Sequence, residues 1–165
     1  MFIFSLFFEG DNLVAVGGDD VSSILSNIEL ISLQKDNVNC DPPDLPYGVY
    51  GHSTVASDQG LITCGGLDGS FLSKCHLQHK NGSTTSLPSM QSERRYFGMV
   101  IISDVIYVIG GSPSRTKMET MNLKTDNRWT EHDLPFAVYR HCVTRVGENK
   151  IVVIGGWGNG NNVSK

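Results

Sequence analysis

The chain is short of positive charge: 13 Lys and Arg stand against 17 Asp and Glu, a formal net charge of −4. A general grip on nucleic acid needs a basic face, and the one close basic pair, Arg94-Arg95, does not make one. Nucleic acid is therefore not an expected partner. Long apolar runs are also missing. No stretch reaches the ~20 apolar residues that span a bilayer, so no membrane span is expected. Met1 to Phe8 resembles a short signal core, but it has no basic lead and no small-residue cleavage site before Glu9, and it runs into the first repeat. It is read as a strand.

Catalytic signatures are absent too. There is no G-x-S-x-G elbow, no phosphate-binding glycine loop and no recognisable carboxylate pair, so neither a catalytic residue nor a cofactor is expected. The four cysteines, Cys40, Cys64, Cys75 and Cys142, include no C-x-x-C pair and leave the compartment open. His76 and His79 lie near Cys64 and Cys75, but strand alternation separates His76 from Cys75 and Leu77, so no metal site is expected. Two triplets, Asn81-Gly82-Ser83 and Asn162-Val163-Ser164, fit the N-glycosylation pattern.

What is abundant is glycine, and it is periodic. Pairs at Gly17-Gly18, Gly65-Gly66, Gly110-Gly111 and Gly155-Gly156 each close a short apolar run, at spacings of 48, 45 and 45 residues. A period of that size marks a repeat whose unit cannot bury its apolar face alone. Before each pair lie two apolar runs joined by a polar turn, as in Gly98 to Ile102, Ser103-Asp104, then Val105 to Ile109. That is a hairpin signal.

After each pair comes a polar loop and an alternating strand. Aligned on their last leucine, these strands put Leu33, Leu77 and Leu123 in register, with Ile31, Cys75 and Met121 on the same face. A fourth element closes each unit: Cys40 to Leu45-Pro46, Thr84 to Leu87-Pro88, and Arg128-Trp129 to Leu134-Pro135. Proline suits an outermost strand. The expected fold is all-β, with four-stranded antiparallel units repeated about an axis as in a β-propeller.

At these residues the sequence resembles the kelch repeat. The best match runs from Tyr107 to Gly110-Gly111 through Glu119, Trp129, Leu134-Pro135 and Tyr139-Arg140-His141. The tryptophan slot is filled only by Trp129, and Cys40 and Thr84 take its place elsewhere. The units divide as about 1–46, 47–89 and 90–135, a half unit at about 136–157, and a tail at 158–165. About three and a half blades would not close a ring, so the remaining blades are expected from a missing part of the chain or from a second copy.

The resemblance implies a protein-binding face built from the loops after the glycine pairs and the loops leading into each innermost strand. Its candidates are Asp68, Arg94, Arg95, Tyr96, Arg115, Tyr139, Arg140 and Trp157. Arginine and tyrosine are common binding anchors, and guanidinium forks suit acidic peptides. Arg94 and Arg140 are placed at the same motif position, where a structural role is equally open. The expected function is recognition of a protein partner, in cytoplasmic form as the substrate-binding part of a cullin-type ubiquitin ligase adaptor or as an actin-associated scaffold. The alternative is an extracellular kelch domain with an adhesive or glycan-binding role. Cys64, where the other units have Val16, Ile109 and Ile154, is expected to behave as a small buried apolar residue. A cross-strand bond to Cys75 is the open alternative.

Overall fold

β-branched and apolar residues on either side of short polar turns form most of the hairpins. The structure, a computed structural model, describes residues 5–9, 12–20, 22–32, 43–158 and 161–162. Along the chain, β1 (Ser5–Glu9) turns back into β2 (Asn12–Asp19), and β3 (Ile24–Ser32) pairs on the other side of β2. The second unit contains β4 (Ser53–Ser57), β5 (Gly60–Cys64), a small ribbon of β6 (Leu67–Asp68) and β7 (Ser70–Phe71), then β8 (Cys75–His79) and β9 (Thr84–Leu87). Next come β10 (Arg94–Arg95), β11 (Gly98–Ile102), β12 (Val105–Ile109), β13 (Ser112–Pro113), β14 (Lys117–Asn122) and β15 (Thr130–Asp133). The last hairpin is β16 (Cys142–Val146) with β17 (Lys150–Ile154), followed by the ribbon of β18 (Trp157–Gly158) and β19 (Asn161–Asn162).

Every strand pair is antiparallel, and there is no helix among the described residues. Two sheets are four-stranded, in the orders β4-β5-β8-β9 and β11-β12-β14-β15. The proline-flanked segments at Thr84–Leu87 and Thr130–Asp133 are outermost, as edge strands that need not donate every N–H. The Cys40 segment lies outside the described residues, as do Leu33 and Asn159. The first strands are neighbours in chain order: β4 lies against β1 and β11, and β11 against β16.

The cores lie between adjacent sheets. Val14, Val16, Ile28, Leu45, Val49 and Leu61 fill the first junction. Ile62, Cys64, Cys75, Leu77, Met90, Phe97, Met99, Ile106, Val108, Met121 and Trp129 fill the second. This corrects the register expected from the leucines. Cys75 pairs with Cys64, at the end of its hairpin, whereas Met121 pairs with Ile106, three residues short of Ile109. A slip of three residues is odd and reverses the face, so Cys75 and Met121 enter the same core from opposite sheets.

The glycine pairs hold the sheets close. Each second glycine donates its N–H to the next lead-in segment: Gly18 to Val49 O at 2.8 Å, Gly66 to Arg94 O at 2.9 Å and Gly111 to Val138 O at 2.9 Å. At Gly110, φ is +59° and an added Cβ would sit 2.3 Å from Val138 O, a backbone atom that cannot step aside. Gly110→Ala is therefore expected to lose more than the roughly 1–3 kcal/mol of left-handed backbone strain alone. Gly147→Ala, with φ +64° and nothing within 4 Å, is expected to lose only that strain. Urea unfolding midpoints of the two variants check the difference.

Candidate binding face

One short sequence frame recurs where the chain enters each first strand. Tyr50, Arg95 and Tyr139 bridge to the residues just after the glycine pairs, Leu67, Ser112 and Trp157 respectively. The next residues, Gly51, Tyr96 and Arg140, have left-handed backbone, with φ of 65°, 55° and 53°. Then come the buried or half-buried rings of His52, Phe97 and His141. The left-handed turns are linked in series, since Tyr96 N donates to Gly51 O at 2.7 Å and Arg140 N to Tyr96 O at 2.8 Å. Those inter-sheet bonds offset the strain of a non-glycine side chain at positive φ.

This frame corrects the alignment of Arg94 with Arg140. Arg94 matches Val49 and Val138, whose carbonyls receive the glycine N–H groups, while Arg140 matches Tyr96 and Gly51. The difference is consequential, because the Arg94 position points into the protein. Arg94 is fully buried. Its guanidinium pairs with Glu119, which is also fully buried, and Nη1 donates to Gly110 O at 2.8 Å. No partner can reach it. Trp129 is buried beside this cluster, donating Nε1 to Pro88 O at 2.8 Å.

Arg95, Tyr96, Arg140 and Phe71 do come together. The Arg95 guanidinium lies 4.9 Å from the Phe71 ring and 5.0 Å from the Tyr96 ring, and Arg140 lies 4.7 Å from the same Tyr96 ring. Arg115 covers Tyr139 at 4.4 Å. The lead-in turns supply the tyrosines and two arginines, the ribbon after Gly66 supplies Phe71, and the loop after Gly111 supplies Arg115. Phe71 was missed by the sequence reasoning. The alternation of short ribbon strands that turns it back over Arg95 carries no signal in two residues.

Trp157 is 47% exposed, held by its backbone bridge to Tyr139. Asp68 is exposed at the ribbon turn. Burial, assisted by the Asp68 charge, pushes the Tyr47 phenol up to about 12.

A guanidinium laid flat on a ring keeps its N–H edge free for a carboxylate. Each such stack contributes about 0.5–1 kcal/mol at an exposed site and holds the fork in one orientation before a partner arrives. The arrangement is suited to polar recognition. At the opposite, hairpin-turn end, a cleft of about 470 Å³ lies among Asp58, Asp104, Ile101, Leu123, Lys124 and Arg145. Lys124 there is paired to Asp104 at 2.8 Å.

The Cys64 and Cys75 sulfurs are bonded to each other across the β5–β8 pair, with 4.1 Å between Cα atoms. Both residues are 1% exposed, so the position is buried as expected of an apolar residue, but it is occupied by the cross-strand bond. Cys142 is free and exposed. No protein-family model matches the chain, and no curated protein matches it.

Proposed function

We propose that the chain is a segment of a kelch-type β-propeller that works as a protein-interaction module, docking a partner on the loop end of its sheets. The observation that carries the proposal is the Phe71, Arg95, Tyr96 and Arg140 stack, two guanidinium forks braced on aromatic rings by backbone from three different units. The propeller reading is supported by the chain-order adjacency of the first strands β1, β4, β11 and β16 and by the outward strand order of both four-stranded sheets. Three arginines at one end favour a partner segment bearing carboxylates. A cytoplasmic adaptor that presents such a partner to a cullin-type ubiquitin ligase is one form of this function. An actin-associated scaffold is another.

The test is capture of binding proteins on the immobilised chain against a variant carrying Arg95→Ala, Arg115→Ala and Arg140→Ala. A partner of this face is expected to lose at least about 100-fold in affinity, since each anchor removed contributes about 1–2 kcal/mol or more. The same partner should be retained by a Lys124→Ala variant at the other end. Equal retention by the triple variant would sink the proposal.

The Cys64–Cys75 bond favours a second reading, an extracellular kelch domain, because disulfides persist in oxidising compartments. Asn81 lies in an exposed turn in which its Oδ1 accepts from Ser83 N at 3.0 Å. Mass spectrometry of the protein made in its native cells separates the two readings. Free Cys64 and Cys75 thiols with no glycan on Asn81 would exclude the extracellular one.

A further inference from the structure

The hairpin-turn end carries a second set of converging side chains, contributed by three different sheets. The cleft there, about 470 Å³, lies within the roughly 300–1,000 Å³ range of small-molecule sites. Asp58 comes from the turn between β4 and β5, Asp104 from the turn between β11 and β12, Lys124 from just beyond β14, and Arg145 from β16. Ile101 and Leu123 give the cleft an apolar floor. Both are half-buried and pack on the core between the second and third sheets.

The charges on its walls do not all cancel in place. Lys124 is paired to Asp104 at 2.8 Å, and that hydrogen bond, with the Asp58 charge adding from farther off, holds the ammonium above its ordinary value. Asp58 and Arg145 are left over. Asp58 is exposed, and among the described residues its carboxylate accepts no hydrogen bond and makes no ion pair. Arg145 uses only Nε, which donates to Gly147 O at 2.8 Å within its own hairpin, so its two Nη groups have no carboxylate. β11 stands between the two, packed against β4 on one side and β16 on the other. A carboxylate and a guanidinium thus face the cleft from opposite walls, kept apart by the strand that carries Ile101.

We propose that this cleft binds a small zwitterion with an aliphatic body, a short peptide with both ends free, whose ammonium meets Asp58, whose carboxylate takes the Arg145 fork and whose side chains lie on Ile101 and Leu123. A guanidinium matches a carboxylate through two parallel N–H donors, and an ammonium brings three donors to a carboxylate. Selectivity comes from the opposed walls. A purely anionic ligand gains the Arg145 fork but meets the charge of Asp58, and a purely cationic one gains Asp58 but meets Arg145 and Lys124, so each carries a repulsion along with its attraction. Only a ligand with separated charges of both signs satisfies both ends. The aliphatic body adds the burial that a bare zwitterion lacks, because the exposed sides of Ile101 and Leu123 lose water when it lies on them. The site is independent of the arginine stack at the other end and of the propeller reading.

Titration of the isotope-labelled chain with the dipeptide Leu-Leu, followed by amide chemical shifts, should move Asp58, Asp104, Lys124 and Arg145 saturably and leave Arg95, Tyr96 and Arg140 in place. N-acetyl-Leu-Leu lacks the ammonium and Leu-Leu amide lacks the carboxylate. Each should bind roughly tenfold more weakly than the dipeptide, the usual cost of one charge-assisted hydrogen bond. Arg145→Ala should bind the dipeptide no better than it binds the amide, while still preferring both to the N-acetyl form. Asp58→Ala should show the reverse pattern. Both side chains are exposed, so the variants should keep the fold, and the dispersion of the same spectra checks it. The absence of saturable shifts at these amides, or either analogue bound by the wild-type chain as tightly as the dipeptide, would overturn the proposal.

Discussion

Glu119→Ala is expected to lower the unfolding free energy by about 3–5 kcal/mol, the cost of leaving a buried charge without its partner. In a domain of this size that is a fall of roughly 10 °C in Tm. Glu119 does three jobs at once. One carboxylate oxygen accepts from the Arg94 guanidinium and from Ser92 N at 3.0 Å, and the other accepts from Gln91 N at 2.6 Å. Alanine strands all three donors, two of them on the backbone of the segment that joins the second sheet to the third. Burial pushes the Arg94 pKa down, and the Glu119 charge works against that push, so removing Glu119 leaves a guanidinium that stays charged, buried and without its counter-ion.

Two companion variants identify the cause. Glu119→Gln keeps the shape but places an amide NH2 against a donor, with an expected loss of about 2 kcal/mol. Arg94→Met combined with Glu119→Leu should recover at least about half of the alanine loss, because well-packed apolar groups often replace a buried ion pair without cost. The chain itself supports that expectation: at the position of Arg94 the neighbouring units carry Val49 and Val138, both buried. A Glu119→Ala chain with unchanged urea midpoint would mean that water replaces the carboxylate and that the cluster does not bind the sheets together.

The glycine pairs were legible because their requirement is absolute. At Gly17, Gly65 and Gly110 a left-handed backbone on which a Cβ would sit 2.3 to 2.7 Å from a neighbouring carbonyl oxygen excludes every other residue, so the same letters recur. Hairpins and outermost strands were legible for a related reason, since polar turns and prolines are tolerated only where the ladder can spare them. The third strands were not. Leu77 and Leu123 share a residue type but not a register, because the loops after their glycine pairs differ in length and the strand slips by an odd number that keeps Cys75 and Met121 in one core.

The candidate face was legible in part. Arg95, Tyr96, Arg115, Tyr139 and Arg140 share the loop end, but Arg94 turns inward. Its alignment failed because the constraint at the lead-in turn falls on φ rather than on chemistry. Gly51, Tyr96 and Arg140 occupy one backbone conformation with three unrelated side chains, and a comparison of letters pairs the two arginines instead. Phe71 was hidden because its placement depends on a two-residue ribbon, too short for any periodicity.

His52 and His141 should make the fold acid-sensitive well above the range where carboxylates titrate. Burial holds both imidazoles down at about 4, against 6.5 for an exposed histidine, and the backbone at Val16 and Val49 for His52, and at Ile109 for His141, works only weakly against it. With the folded pKa below the unfolded one, the unfolded chain takes up the proton first. The stability contributed by each neutral ring is complete above about pH 6.5, falls as pH drops toward about 4, and levels off below that. For His52 the loss over that window is about 3 kcal/mol, with a smaller share from the half-buried His141. Phe97 occupies the same place in the third unit, which makes phenylalanine the natural control. His52→Phe with His141→Phe should keep the packing against Gly17 and Gly110, and should flatten urea midpoints between about pH 7 and 5. A double variant as acid-labile as the wild type would assign the loss to other groups. The outcome also bears on the sheet junctions themselves, because a proton on either ring would sit beside the glycine pairs that hold two neighbouring sheets together.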